Sequence, residues 1–362
     1  MRGKITLCYC VVTISTGALI GCSDSGPPRP TLYSQESGTT VRLQAISVVS
    51  DAVVWTSGLS GTVVRTTDGG QTWIASTVPG ADSLQFRDID AIDADTAFVL
   101  SSGGGESSRI YMTTDGGTSW TLQFINPDTS GFFDCMAFWD SKHGAVYGDA
   151  VDGSLVIFTT SDGEHWIRVP EEGLPAALPG EGGFAASGTC LVTHGDSTGW
   201  VGTGATSTAR VIKTTDRGST WSAYSTPIVS GSGTSGITTV GFRDTLLGMA
   251  AGGEISDQET HSDNVAATAD GGLTWELAEH PVMTGAIYGI SVFHAAETPT
   301  VVAVGPGGAD FTRDYGATWS RLDSLEYWSV GFSEHGIGWA VGPEGRITKI
   351  SFRLPSAAND VN

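Results

Sequence analysis

The sequence predicts an all-β fold: seven four-stranded antiparallel sheets arranged as a propeller, its ring closed by a strand from near the N-terminus. Three observations carry this. A short box ending in tryptophan recurs at Trp73, Trp120, Trp166, Trp221, Trp275 and Trp319, at spacings of 44 to 55 residues. Between boxes lie short alternating runs such as Ile46-Ser47-Val48, Thr62-Val63-Val64-Arg65 and Gly199-Trp200-Val201-Gly202, parted by Gly/Asp turns, which is the pattern of an antiparallel sheet. No long stretch repeats at 3.6 residues, so helix is expected to be scarce. Units of this length with four strands are propeller blades.

Taken from the start, residues 1–21 read as an export signal. Arg2 and Lys4 precede an apolar stretch, Ile5 to Ile20, too short for a comfortable membrane span. Leu19-Ile20-Gly21-Cys22 resembles the bacterial lipobox. That resemblance implies that Cys22 becomes a lipidated N-terminus, anchored in the outer membrane or at the cell surface. Residues 22–30, with Ser23-Asp24-Ser25-Gly26-Pro27-Pro28, read as a polar tether.

The propeller is assigned to 31–353 and a tail to 354–362. Six blades carry boxes. A seventh follows Trp319, with runs Tyr327 to Ser333, Ile337 to Gly342 and Arg346 to Phe352, and lacks its outer strand. Thr31 to Gln35 is a surplus strand that completes it, since an open ring would leave two exposed edges.

In the box, Asp68, Asp115, Asp216, Asp270 and Asp314 are read as turn residues that accept backbone N–H bonds. The tryptophans are read as plugs between neighbouring sheets. The copy ending at Trp166 is degenerate, with Ser161 at the aspartate position and His165 at the threonine position. The pattern S/T-x-D-x-G-x-T-W resembles the Asp-box, or bacterial neuraminidase repeat. Together with Gly338-Trp339-Ala340-Val341-Gly342 it is most similar to the photosystem II stability/assembly factor propellers. That resemblance implies a lipid-anchored, non-enzymatic protein that binds a protein partner or assists assembly of a membrane complex. The box name implies the alternative, a carbohydrate-binding or glycoside-hydrolysing propeller of sialidase or xyloglucanase type.

Composition narrows the partners. There are 18 Lys+Arg against 39 Asp+Glu, a formal charge of −21. This opposes nucleic-acid binding, which needs cationic phosphate contacts, and charge-driven docking on anionic lipid. A protein or glycan is expected on the rim that carries the longer loops: 103–108, 148–154, 170–186, 227–236 and 252–264. Inner strands start at the same rim, which makes Arg87, Asp88, Phe133, Asp134, Tyr288, Tyr327 and Trp328 the candidate ligand residues.

No catalytic set stands out. The Arg-Ile-Pro signature of sialidases is missing, and Arg109, Arg210 and Arg346 fall too far round the ring to converge. Asp88 and Asp134 are the available members of a glycosidase carboxylate pair. No cofactor is implied. Residues 88–95 lack the Gly and terminal Glu of a calcium loop, which leaves the 254–263 loop with His261 as a divalent-ion candidate. The chain is expected to be monomeric. Cys135 and Cys190 occupy equivalent positions of blades 3 and 4, so rotation about the axis should leave their side chains pointing the same way round the ring. They are expected to be two free, buried thiols.

Overall fold

The computed structural model describes residues 29–295 and 298–352, and it is a seven-bladed propeller. The export signal, Cys22, most of the tether and the 354–362 tail lie outside the described residues. Seven four-stranded antiparallel sheets form, each ordered from the axis outward. Blade 1 shows the plan, with strands Leu43–Val48, Val54–Gly58, Thr62–Thr66 and Ile74–Thr77. The second strands are buried on both faces because a blade is covered on either side by its neighbours. Trp55, Trp200 and Trp339 on these strands are fully buried. The helical content described is three single-turn 3₁₀ segments.

The N-terminal strand Thr31–Gln35 pairs antiparallel with Ile347–Ser351 and is the outer strand of blade 7. Gln35 secures this join. Its Oε1 accepts from the indole N–H of both Trp73 (3.1 Å) and Trp339 (3.0 Å), and its Nε2 donates to Gly70 O (2.7 Å). One amide thus ties blade 7 to the box of blade 1.

The boxes repeat one hydrogen-bond pattern between third and fourth strands. In blades 1, 2, 4, 5 and 6 an aspartate oxygen accepts the hydroxyl four residues on, that of Thr72, Ser119, Thr220, Thr274 or Thr318, at 2.6 Å. The other oxygen accepts the backbone N–H of the same residue at 2.8–2.9 Å. These bonds to the charged form hold Asp68 and Asp270 at a pKa of about 2. The second box glycine sits against the preceding blade: at Gly272, with φ +88°, an added Cβ would meet the Trp200 ring at 3.3 Å. In blade 3 the aspartate is Asp162, not absent as the Ser161 alignment implied. The turn is one residue shorter, and Asp162 accepts from His165 N (2.8 Å) and faces His165 Nδ1 (2.8 Å). His165 therefore does fill the threonine position.

The cysteine expectation is overturned. Cys135 and Cys190 form a disulfide between blades 3 and 4, with Cα atoms 5.9 Å apart. Their alignment holds, since Cys135 pairs with Tyr147 and Cys190 O accepts from Gly202 N. The failed step was the assumption of identical backbone at both positions. Cys135 follows a bulge at Phe133/Cys135 in the strand Phe133–Phe138. Cys190 lies in a turn before the strand Leu191–His194 begins. The two Cβ vectors are thus no longer related by the ring's rotation, and they face each other.

Candidate functional site

Inner strands carry register shifts near their starts in blades 1, 2, 3 and 5, at Leu43/Ala45, Phe86/Asp88, Phe133/Cys135 and Ile237/Thr239. A bulge leaves one residue out of the ladder and re-aims its side chain. The residues so displaced are Gln44, Arg87, Asp134 and Thr238, and Tyr288 and Trp328 stand just before the inner strands of blades 6 and 7. Arg87, Tyr288 and Trp328 of the candidate set thus do gather at the mouth of the axial channel on the long-loop side.

The mouth is filled by the chain itself. From the end of the 170–186 insertion, residues 184–189 run across it. Arg87 donates to Ala185 O (3.0 Å), Ser187 Oγ donates to Tyr288 O (2.6 Å), and Ser329 Oγ donates to Ser187 O (3.1 Å). Gly188 approaches Asp88 so closely that a Cβ there would clash with its Oδ1. Ala185, Ala186 and Ser187 are buried. Sequence reasoning placed this segment in a loop and missed the plug. The signal was available in its small residues, Ala185-Ala186-Ser187-Gly188, which suit a narrow passage.

Around the plug, basic and aromatic groups meet. The Arg42 guanidinium lies 4.1 Å from the centre of the Trp328 ring, which meets Tyr288 edge-on at 5.0 Å. Burial, then the neighbouring charge of Arg42, pulls the Arg87 pKa below its ordinary value. Neither arginine forms an ion pair among the described residues. Arg42 Nε, Trp328 Nε1 and both amide atoms of Gln44 are buried without a hydrogen-bond partner there. Arg42 was not among the sequence candidates because it precedes the first inner strand, outside the periodic run.

The other candidates are structural in their contacts. Phe133 is fully buried and stacks on Phe124 at 5.8 Å. Tyr327 is buried, its hydroxyl donating to Asp323 Oδ2 (2.6 Å). Asp88 accepts Met136 N–H (2.6 Å), bridging blades 2 and 3, and burial raises its pKa well above the usual carboxylate range. Asp134 faces Asp149, and burial followed by that second carboxyl raises it likewise. Asp149 accepts Gly183 N–H (3.1 Å) just before the plug. Both Asp88 and Asp134 are buried. Arg210 pairs with the buried Glu181, and Arg346 donates to Glu326 O (2.5 Å), so these arginines serve separate loops. In the 254–263 loop, Glu254 Oε1 accepts Ser256 and Oε2 accepts Ser232, each at 2.6 Å, and Asp257 Oδ2 accepts Thr260 at 2.6 Å. Among the described residues no cluster of three metal-ligating side chains forms.

Asp90 carries a measurable consequence. It accepts Phe138 N–H (2.7 Å), and burial between blades raises its pKa to about 6. Its native form binds a proton that the unfolded form releases near the ordinary aspartate value of 3.8. Its contribution is therefore complete below pH 4, and stability is lost as pH rises toward 6. Asp90→Asn keeps the acceptor and removes the titration. Relative to wild type, the variant is expected to gain about 2 kcal/mol in urea melts between pH 4 and pH 7.5. A constant difference across that range would refute the assignment.

No family model and no curated relative matches the chain. Solved structures do. The chain is similar to YCF48 bound to D1 peptide, with a TM-score of 0.62 and 16% identity over 90% of this chain and 97% of that one. YCF48 from Cyanidioschyzon merolae gives 0.61 and 16% over 88% and 98%. The RRP9 WD40 repeats give 0.60 and 14% over 90% and 99%. At such identities the likeness is one of fold.

Proposed function

We propose that this chain is a non-enzymatic propeller that binds a protein partner, seating a carboxylate-bearing peptide at the plugged mouth. The observation that carries this is the Arg42/Arg87 pair: two neighbouring guanidinium groups that form no ion pair among the described residues, the buried Asp134 being the one carboxyl whose charge reaches Arg87, in a chain of net charge −21. Adjacent like charges are costly unless an anion joins them, and arginine is suited to a bidentate carboxylate. Trp328 and Tyr288 supply aromatic groups beside that site. Exposed acids on the surrounding loops, such as Glu106, Asp152, Glu171 and Glu172, would favour basic residues flanking the seated carboxylate. A peptide-bound neighbour of the same fold supports this class of ligand. The burial of Asp88 and Asp134 weighs against the glycosidase alternative.

The Leu19-Ile20-Gly21-Cys22 motif adds the rest of the reading, an exported protein held by lipid at the outer membrane or cell surface, where it assists assembly of a membrane complex. One preparation tests both parts. Cys22→Ala is expected to move the protein from the membrane to the soluble extracytoplasmic fraction. In that soluble form, peptides with a free C-terminal carboxylate are expected to bind at least tenfold tighter than their amides, measured by calorimetry. Arg42→Ala or Arg87→Ala should erase the difference. Equal binding of acid and amide would refute the carboxylate site, and binding on a glycan array without peptide binding would favour the carbohydrate reading. Unchanged membrane partitioning of Cys22→Ala would refute the anchor alone.

A further inference from the structure

Blade 5 departs from its sister blades at its corner on the box side, opposite the mouth. The turn between first and second strands holds Ala52, Asp95, Lys142, Ser197 and Gly336 at one equivalent position in blades 1, 2, 3, 4 and 7, and Leu246 in blade 5. Two residues before the box tryptophan stand Gln71, Thr118, Glu164, Ser219 and Ala317, and in blade 5 Leu273. The repeats act as internal controls: the fold does not need a large apolar side chain at either place. Leu246 is 56% and Leu273 47% exposed, and Leu246 O accepts Gly271 N (2.7 Å), so the two turns adjoin.

Beside them lies a groove of about 580 Å³ between blades 5 and 6, with Leu247, Ala267, Leu277, Ala278 and Tyr315 among its lining residues. The outer strand here, Glu276–Leu277, has only two residues, which leaves the groove uncovered. Its walls are acidic. Asp270 is ionised at neutral pH, and Glu276 and Glu279 are exposed, with no side-chain hydrogen bond or ion pair among the described residues. An apolar patch rimmed by charge marks an interaction surface.

We propose that this corner docks a partner-protein segment in which aliphatic side chains stand next to lysine or arginine. The leucines supply the apolar contact, and the acids select the sign of the flanking charge. A second copy of the chain would bring Glu276 and Glu279 against their own kind, so self-association is disfavoured. This surface is independent of the mouth.

The test is a displayed random dodecapeptide library panned on the full Cys22→Ala chain. Peptides fused at their C-termini lack the free carboxylate proposed for the mouth. Enriched sequences are expected to place Leu, Ile or Val beside Lys or Arg. As synthetic peptides, they should bind at least tenfold more weakly to Leu246→Ser/Leu273→Thr, which keeps the net charge and uses side chains of the sister blades. Glu276→Gln/Glu279→Gln should weaken them at least threefold, and the melting temperatures of both variants should show that the fold is retained. No enrichment of this pattern, equal binding to the leucine variant, or a dimer of the parent chain that the leucine variant abolishes would each overturn the proposal.

Discussion

Replacing Cys135 and Cys190 by alanine is expected to lower the unfolding free energy by about 4 kcal/mol. The bridge joins residues 55 apart in sequence. It restricts the unfolded chain accordingly, an entropic gain that grows slowly with loop length. Blades 3 and 4 share one buried cluster around it, with Tyr147, Ile157, Val201 and Trp221, so the alanines also leave a small cavity. The melting temperature should fall by roughly 5–10 °C. Because Cys190 directly follows the plug, amide exchange in residues 184–189 should rise more than in blade 6. Thiol titration in denaturant without reductant should find none in a chain begun at Arg29, which retains only these two cysteines. Two free thiols would restore the expectation drawn from the alignment.

Deleting Thr31 to Ser37 is expected to act more strongly still. The loss removes the pairing of Thr31–Gln35 with Ile347–Ser351 and exposes the outer edge of blade 7. It also leaves the indole N–H groups of Trp73 and Trp339 without Gln35. A buried donor stripped of its acceptor costs about 1–3 kcal/mol. Several kcal/mol out of a total stability of about 5–15 kcal/mol is enough to broaden or abolish cooperative melting. Gln35→Ala should cause only part of that loss, since the strand remains. A truncated chain that melts like the parent would show that the strand does not close the ring.

The architecture was legible because its determinants are local and repeated. Thr-Thr-Asp-Gly-Gly turns specify their own hydrogen bonds, and a missing fourth strand in blade 7 together with a surplus one at Thr31 leaves one economical pairing. What was missed depends on contacts between distant segments or on small breaks in the repeat. The shortened turn at Asp162 looks like a lost aspartate when residues are counted back from Trp166. The disulfide turns on a bulge at one cysteine and a turn at the other, neither visible in a period-2 pattern. The candidate site was half legible. Arg87, Tyr288 and Trp328 followed from counting to the start of each inner strand, whereas Arg42 lies outside that count. Asp88, Asp134, Phe133 and Tyr327 share that sequence neighbourhood, but their side chains are buried between blades.

The closing strand also determines how the molecule is suspended. Thr31 belongs to the outermost strand of blade 7, so Arg29 and whatever precedes it join the disc at its circumference. The proposed lipid anchor, attached there, would pull on the perimeter and leave both flat sides open. The two docking surfaces proposed above, the plugged mouth and the blade 5 corner, lie on opposite sides, so on that reading the disc would bridge two bodies while suspended from its rim.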